Sequence, residues 1–254
     1  MKTRQSEEEE GDFWPGDKPK ASRSKRLIAV ILAVVAVAVV AVVVVTLTMG
    51  GGGDDAAGAE AGAPPTVWVG TPASEGTAKL NLRTADRRPL TEGEVFTGDV
   101  KTVSHGKYGF TLAGSELSAD CRAVTWGKTL QDDLRKYGCT QVVRGAYLSQ
   151  DKRHVGQFIA LNLDRLEGAD QVVRDLDPQT KAGFVTPLKA PGISTFGSGF
   201  SAAYGQSFGH YAIISWVQRN GGGRPDSMNE LLDASVAVDG ANDFVWQRLV
   251  LAGG

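Results

Sequence analysis

Histidine and cysteine are scarce in this chain, at three and two of 254 residues. His105, His154 and His210 stand far apart, and none has a second donor two to five residues on. Metal centres and imidazole catalysts need such donors gathered together, so no metal, cofactor or catalytic residue is expected, and the chain does not read as an enzyme. Motifs that carry chemistry are missing too. There is no Gly-x-Ser-x-Gly elbow, no His-Glu-x-x-His and no phosphate-loop lysine. Gly197–Gly205 is glycine-rich, but the dinucleotide fingerprint needs a glycine where Ala202 stands, so this stretch reads as a flexible loop, at most a ligand lid. Concentrated positive charge is also lacking. Lys and Arg total 27 against 29 Asp and Glu, with no basic stripe past residue 26, which argues against a nucleic-acid partner.

What is present is one long apolar run. Leu27–Met49 holds 23 residues without a charge, glycine or proline. A bilayer core of roughly 30 Å needs about 20 such residues in a helix. Lys18, Lys20, Arg23, Lys25 and Arg26 crowd its N-terminal side, whereas no Lys or Arg follows until Lys79. The positive-inside rule then predicts a single-pass transmembrane helix held in membrane lipid, with residues 1–26 as a disordered cytoplasmic tail and the C-terminal part extracytoplasmic. The run exceeds a signal-peptide core, and Ala59-Glu60-Ala61 lies well beyond its end, so an uncleaved signal anchor is expected. Residues 50–65, rich in Gly, Ala and Pro, read as a flexible linker, and residues 66–254 as an extracytoplasmic α+β domain.

Both cysteines, Cys121 and Cys139, lie beyond that run. In an oxidising compartment an even pair reads as one disulfide. It would close a loop of about 18 residues and stabilise the fold by about 3 kcal/mol in the chain-entropy view.

Periodicity in the outer part predicts strand 108–112, helix 123–137, strands 141–148 and 155–163, helix 165–176 and strand 211–217. Trp126, Leu130, Leu134 and Tyr137 form one helical stripe, and Leu166, Ala169, Val172, Val173 and Leu176 another. Gly138 supplies a helix end, Asp164 and Asp226 are placed to cap helices, and Thr91-Glu-Gly-Glu94 matches a capping box. The order β-α-β-β-α-β is ferredoxin-like, with helices expected on one face of an antiparallel sheet. Phe196, Phe200, Tyr204, Phe208 and Tyr211 form an aromatic run that fits either a ligand or partner groove or a sealed core.

The C-x(17)-C spacing with Trp126, Gly138-Cys139-Thr140-Gln141, Arg144, Tyr147, Asn162-Leu163, Gly209-His210-Tyr211 and Trp216-Val217 resembles uncharacterised actinobacterial (Streptomyces-type) single-pass membrane proteins. The resemblance covers roughly residues 90–254, and it implies topology rather than activity. The expectation is a membrane-anchored extracytoplasmic binding or sensing domain whose partner is an envelope protein or a small ligand. The alternatives are an envelope enzyme without readable motifs and a structural part of an envelope complex.

Overall fold

The computed structural model describes residues 63–193 and 196–252. The tail 1–26, the apolar run Leu27–Met49 and the linker up to residue 62 lie outside the described residues. Among the described residues no helix is long and apolar enough to cross a membrane.

The elements run β1 (Val67–Thr71), α1 (Glu92–Val95), β2 (Thr102–His105), β3 (Tyr108–Ser118), β4 (Thr125–Trp126), α2 (Lys128–Lys136), β5 (Gln141–Ser149) and β6 (His154–Asn162). They continue α3 (Leu166–Asp175), β7 (Phe184–Val185), β8 (Ser201–Phe208), β9 (Tyr211–Arg219), α4 (Met228–Asp239) and α5 (Asp243–Leu251), with short 3-10 turns between. Seven strands form one curled sheet in the order β1-β8-β9-β6-β5-β3-β2, and β4 and β7 pair separately. β1 lies parallel to β8 and every other neighbour is antiparallel.

This corrects the ferredoxin-like expectation. All six elements of that reading are present, but the strand expected at 108–112 runs on to Ser118, and the helix expected at 123–137 begins only at Lys128 because Thr125–Trp126 pairs as β4. In addition, β1, β2 and β8 widen the sheet and make it mixed. The helices are not on one face either. Side chains alternate along each strand, so successive residues serve opposite cores. Phe158, Ala160, Tyr211, Ile213 and Val217 pack under Leu231, Ala234 and Val238 of α4 and Phe244 and Val245 of α5. Ile159, Leu161, Ile214 and Trp216 pack under Leu130 and Leu134 of α2 and Ala169, Val172 and Val173 of α3. Every residue of β6 is buried, as expected for a strand covered on both sides.

β8 stands where a flexible loop was expected. Its sequence, SAAYGQSF, is rich in small residues, and the Trp68 ring of the neighbouring β1 lies against its Gly205. A Cβ on Gly205 would come within 2.4 Å of that ring, so only glycine fits. The turn into β9 is equally tight. Gly209 takes φ +58°, and both the backbone N–H of His210 and its Nδ1 reach the Leu80 carbonyl, at 2.8 and 2.7 Å.

The capping expectations divide. The Thr91 hydroxyl accepts from the Glu94 amide at 3.2 Å and starts α1. Gly138 takes φ +58° just past the end of α2. Asp164 caps nothing, because α3 begins after Arg165, whose guanidinium takes both Asp164 oxygens. Asp226 is not a cap either, since α4 begins after Ser227.

Three glutamines fasten loops to the sheet. Gln141 exchanges two hydrogen bonds with the Leu90 backbone and Gln157 two with that of Leu188. Gln218 Oε1 accepts from the Gly197 amide at 3.0 Å. Each amide side chain imitates a strand edge, so a loop without its own ladder still satisfies its polar groups. Cys121 and Cys139 are disulfide-bonded, with Cα atoms 6.2 Å apart, and tie the two ends of the α2 region together.

α5 is locked by charge. Arg248 is 1% exposed. Its Nη1 donates to Asp86 Oδ2 at 2.9 Å, to the Arg88 carbonyl at 2.8 Å and to the Tyr211 hydroxyl at 2.7 Å. Its Nη2 donates to the Pro89 carbonyl at 3.0 Å, and its Nε to Glu94 Oε1 at 2.8 Å. Arg248→Met therefore leaves buried Asp86 with only the half-exposed Arg88 guanidinium, 3.8 Å away, as its cation and lowers stability by about 3–5 kcal/mol in urea unfolding. A loss below about 1 kcal/mol would mean the carboxylate was already solvated.

Between α2 and α3, Asp175 is buried and faces Asp133, with Gln171 Nε2 donating to its Oδ1 at 2.8 Å. Burial, with the Asp133 carboxylate adding to it, pushes the Asp175 carboxyl up from 3.8 to about 6. The folded state thus holds this proton more tightly than the unfolded one, and the stability it contributes is lost as pH rises through about 6. Asp175→Asn should raise the urea midpoint at pH 8 and leave it little changed near pH 4. A lower midpoint at pH 8 would contradict the assignment.

Candidate functional site

The candidate site is built where three chain reversals meet. The β2–β3 turn brings Lys107 and Tyr108, the β5–β6 turn brings Asp151, Arg153 and His154, and the start of α4 brings Asp226, Ser227, Asn229, Glu230 and Asp233. Together they line a cavity of about 330 Å³.

Its organiser is Glu230. Oε1 accepts from His154 Nε2 at 2.7 Å and from Arg219 Nε at 2.5 Å. Oε2 accepts from Arg219 Nη2 and from the Asp226 amide, at 2.8 and 2.9 Å. All four lone-pair positions of the carboxylate are filled. Burial raises its proton affinity, but the bonds from Arg219, His154 and the Asp226 amide outweigh that and hold the carboxyl down at about 2. Being ionised at neutral pH, it fixes Nε2 of His154 as the donor.

The rest of His154 is enclosed. The residue is 4% exposed, and the Tyr108 ring meets the imidazole edge-on at 5.3 Å. Nδ1 has no hydrogen-bond partner and is shut off from solvent. A carboxylate-held imidazole is the orienting half of an acyl-transfer constellation, but catalysis needs the other ring nitrogen open to substrate. Here that nitrogen is covered, and the pair acts as a rigid wall. The turn before it is rigid as well. The His154 amide donates to the Ser149 hydroxyl, which donates to Asp151 Oδ1, at 2.8 and 2.6 Å.

The five aromatic residues singled out from the sequence do not line one groove. Phe196 packs edge-on against Trp216 at 4.7 Å, in the core beneath α2 and α3. Phe200, Tyr204, Phe208 and Tyr211 belong to the core beneath α4 and α5, so the sheet separates them from Phe196. Tyr211 is fully buried and donates to Asp86 Oδ2 at 2.8 Å. His210 is buried with no open side, and burial pushes its imidazole down to about 4, so it is a neutral structural donor to Leu80. His105 ends β2, where it pairs with Tyr108, but is not among the residues that line the cavity.

Among the described residues no group of three or more His, Cys, Asp or Glu could hold a metal ion. A second depression of about 290 Å³ lies beside the disulfide, lined in part by Arg122 and Arg135. Arg135 is already paired with Asp132 at 2.9 Å. The outer face of α5 shows Trp246, Val250 and Leu251, at 43%, 76% and 63% exposure.

No protein-family model matches the chain, and neither a curated protein nor a solved structure is significantly similar to it. The site must be read from its own chemistry. Sequence reasoning passed over it because His154 and Glu230 are 76 residues apart, and only the fold joins them.

The depressed Glu230 carboxyl sets a direction for pH. Its contribution to stability is complete above 4.5 and is lost as pH falls through about 2. Glu230→Gln should be less stable than the wild type at pH 7, with the gap closing as pH falls toward 2. Urea midpoints across that range check it, and a gap independent of pH would remove the charge from the explanation.

Proposed function

We propose that this is a binding domain of the cell envelope, held at the membrane by its apolar run with residues 1–26 on the cytoplasmic side, and that the cavity around Tyr108, His154 and Glu230 is its recognition site. One observation carries the reading. A rigid wall, built on a Glu230 carboxylate with both oxygens hydrogen-bonded, supports a cavity of about 330 Å³ whose rim includes the unpaired charged side chains of Lys107, Arg153 and Asp233. Small-ligand sites have this character, with fixed walls and a few placed polar groups in some 300–1,000 Å³. A closed imidazole nitrogen supports binding over catalysis.

The exposed Trp246, Val250 and Leu251 of α5 favour a second reading, a structural component that docks on another envelope protein.

Ser227 lines the cavity, is exposed, and makes no side-chain cap bond. Ser227→Cys in the full chain should react with a membrane-impermeant maleimide on intact cells, and the small-molecule fraction of the envelope should slow that reaction. Labelling only after lysis would overturn the location. An unchanged rate would overturn the cavity as the site.

A further inference from the structure

The charged groups around the cavity fall into two sets, and only one is consumed by the fold. Glu230 is spent on His154 and Arg219, and Asp226 on Arg219 at 2.6 Å. Asp151 is engaged by Ser149 and by the Arg153 amide. The remaining groups differ in charge by element. Cationic Lys107 and Arg153 come from the strand turns, and neutral Asn229 and anionic Asp233 from α4. All four are exposed, and among the described residues none has a hydrogen-bond or ion-pair partner for its side chain. The Lys107 ammonium lies 5.2 Å from the centroid of the Tyr108 ring, which keeps it over the cavity wall.

That arrangement selects by charge. A simple anion gains Lys107 and Arg153 but meets Asp151 beside them and Asp233 on α4. A simple cation gains Asp233 but meets the two bases. A neutral molecule must displace water from all of them without returning a charge, and that costs affinity. A ligand with a carboxylate at one end and an ammonium at the other answers both charges. Size agrees, since about 30 Å³ per water makes the cavity roughly eleven waters large, enough for an amino acid and its side chain.

We propose that the cavity binds a zwitterion of amino-acid size, with its carboxylate toward Lys107 and Arg153 and its ammonium toward Asp233 and Asn229. This rests on the cavity being the recognition site.

The test is equilibrium dialysis of the full chain in detergent micelles against an equimolar, radiolabelled mixture of the common L-amino acids, with the retained species identified by chromatography. One or a few should be retained saturably. Acetate and ethylamine, each bearing one of the two charges, should compete at least tenfold less well than the retained amino acid. Lys107→Met and Asp233→Asn should each weaken retention at least tenfold, and Lys107→Arg should keep most of it. Both positions are exposed and unpaired, so folding is not at stake. No retained species, competition by acetate or ethylamine as strong as by the amino acid, or unchanged binding in both variants would overturn the proposal. The Ser227→Cys experiment separates the two failures. Shielding by the envelope fraction with no amino acid retained sinks the zwitterion and spares the cavity, whereas loss of both sinks both.

Discussion

The domain is governed by the need to cover two adjacent strands on both sides. β6 and β9 are buried along nearly their whole length, and a sheet so hydrophobic on each face cannot leave either to water. One pair of helices therefore packs on each side. The two pairs differ in how they are held. α2 and α3 sit over Ile159, Leu161, Ile214 and Trp216 with a disulfide at one end. α5 is held by a guanidinium that must find two carboxylates, a phenol and two carbonyls at once. A buried charge of this kind adds little net stability compared with an apolar plug, but it tolerates only one placement of the helix.

Legibility in the sequence followed distance along the chain. α2, α3, the β5–β6 hairpin and β9 carry their own stripes or alternation, and each was readable within a window of a dozen residues. β8 was not. Its Gly205 is required by the ring of Trp68, a residue more than 130 positions earlier, and out of context its small residues look like a loop. Without β8 the sheet would end at β9, and the shorter ferredoxin-like arrangement follows. The aromatic run stayed open between a groove and a sealed core for a related reason. Periodicity along one segment cannot show that Phe196 has crossed to the other side of the sheet from Tyr204 and Phe208.

The site was hidden in the same way. Glu230 reads as an ordinary acidic residue in the first turn of a helix, where such residues are common. Its task appears only when the β5–β6 turn delivers His154 and β9 delivers Arg219 to it. The two other histidines show how little residue type says alone. His210 is a sealed strut of the β8–β9 turn, and His105 merely ends a short edge strand.

The pairing of β1 with β8 also bears on how the chain is made. Val67 aligns with Ala202, so the earliest strand of the sheet has no neighbour until nearly all of the domain has been synthesised. Contacts of such long range are slow to form, because the intervening loop must close first. Synthesis therefore leaves the Val67–Val69 edge, with Trp68 at its centre, waiting as an unpaired apolar ribbon. This first strand, rather than the hairpins that fold as they emerge, is where a chaperone would be needed most.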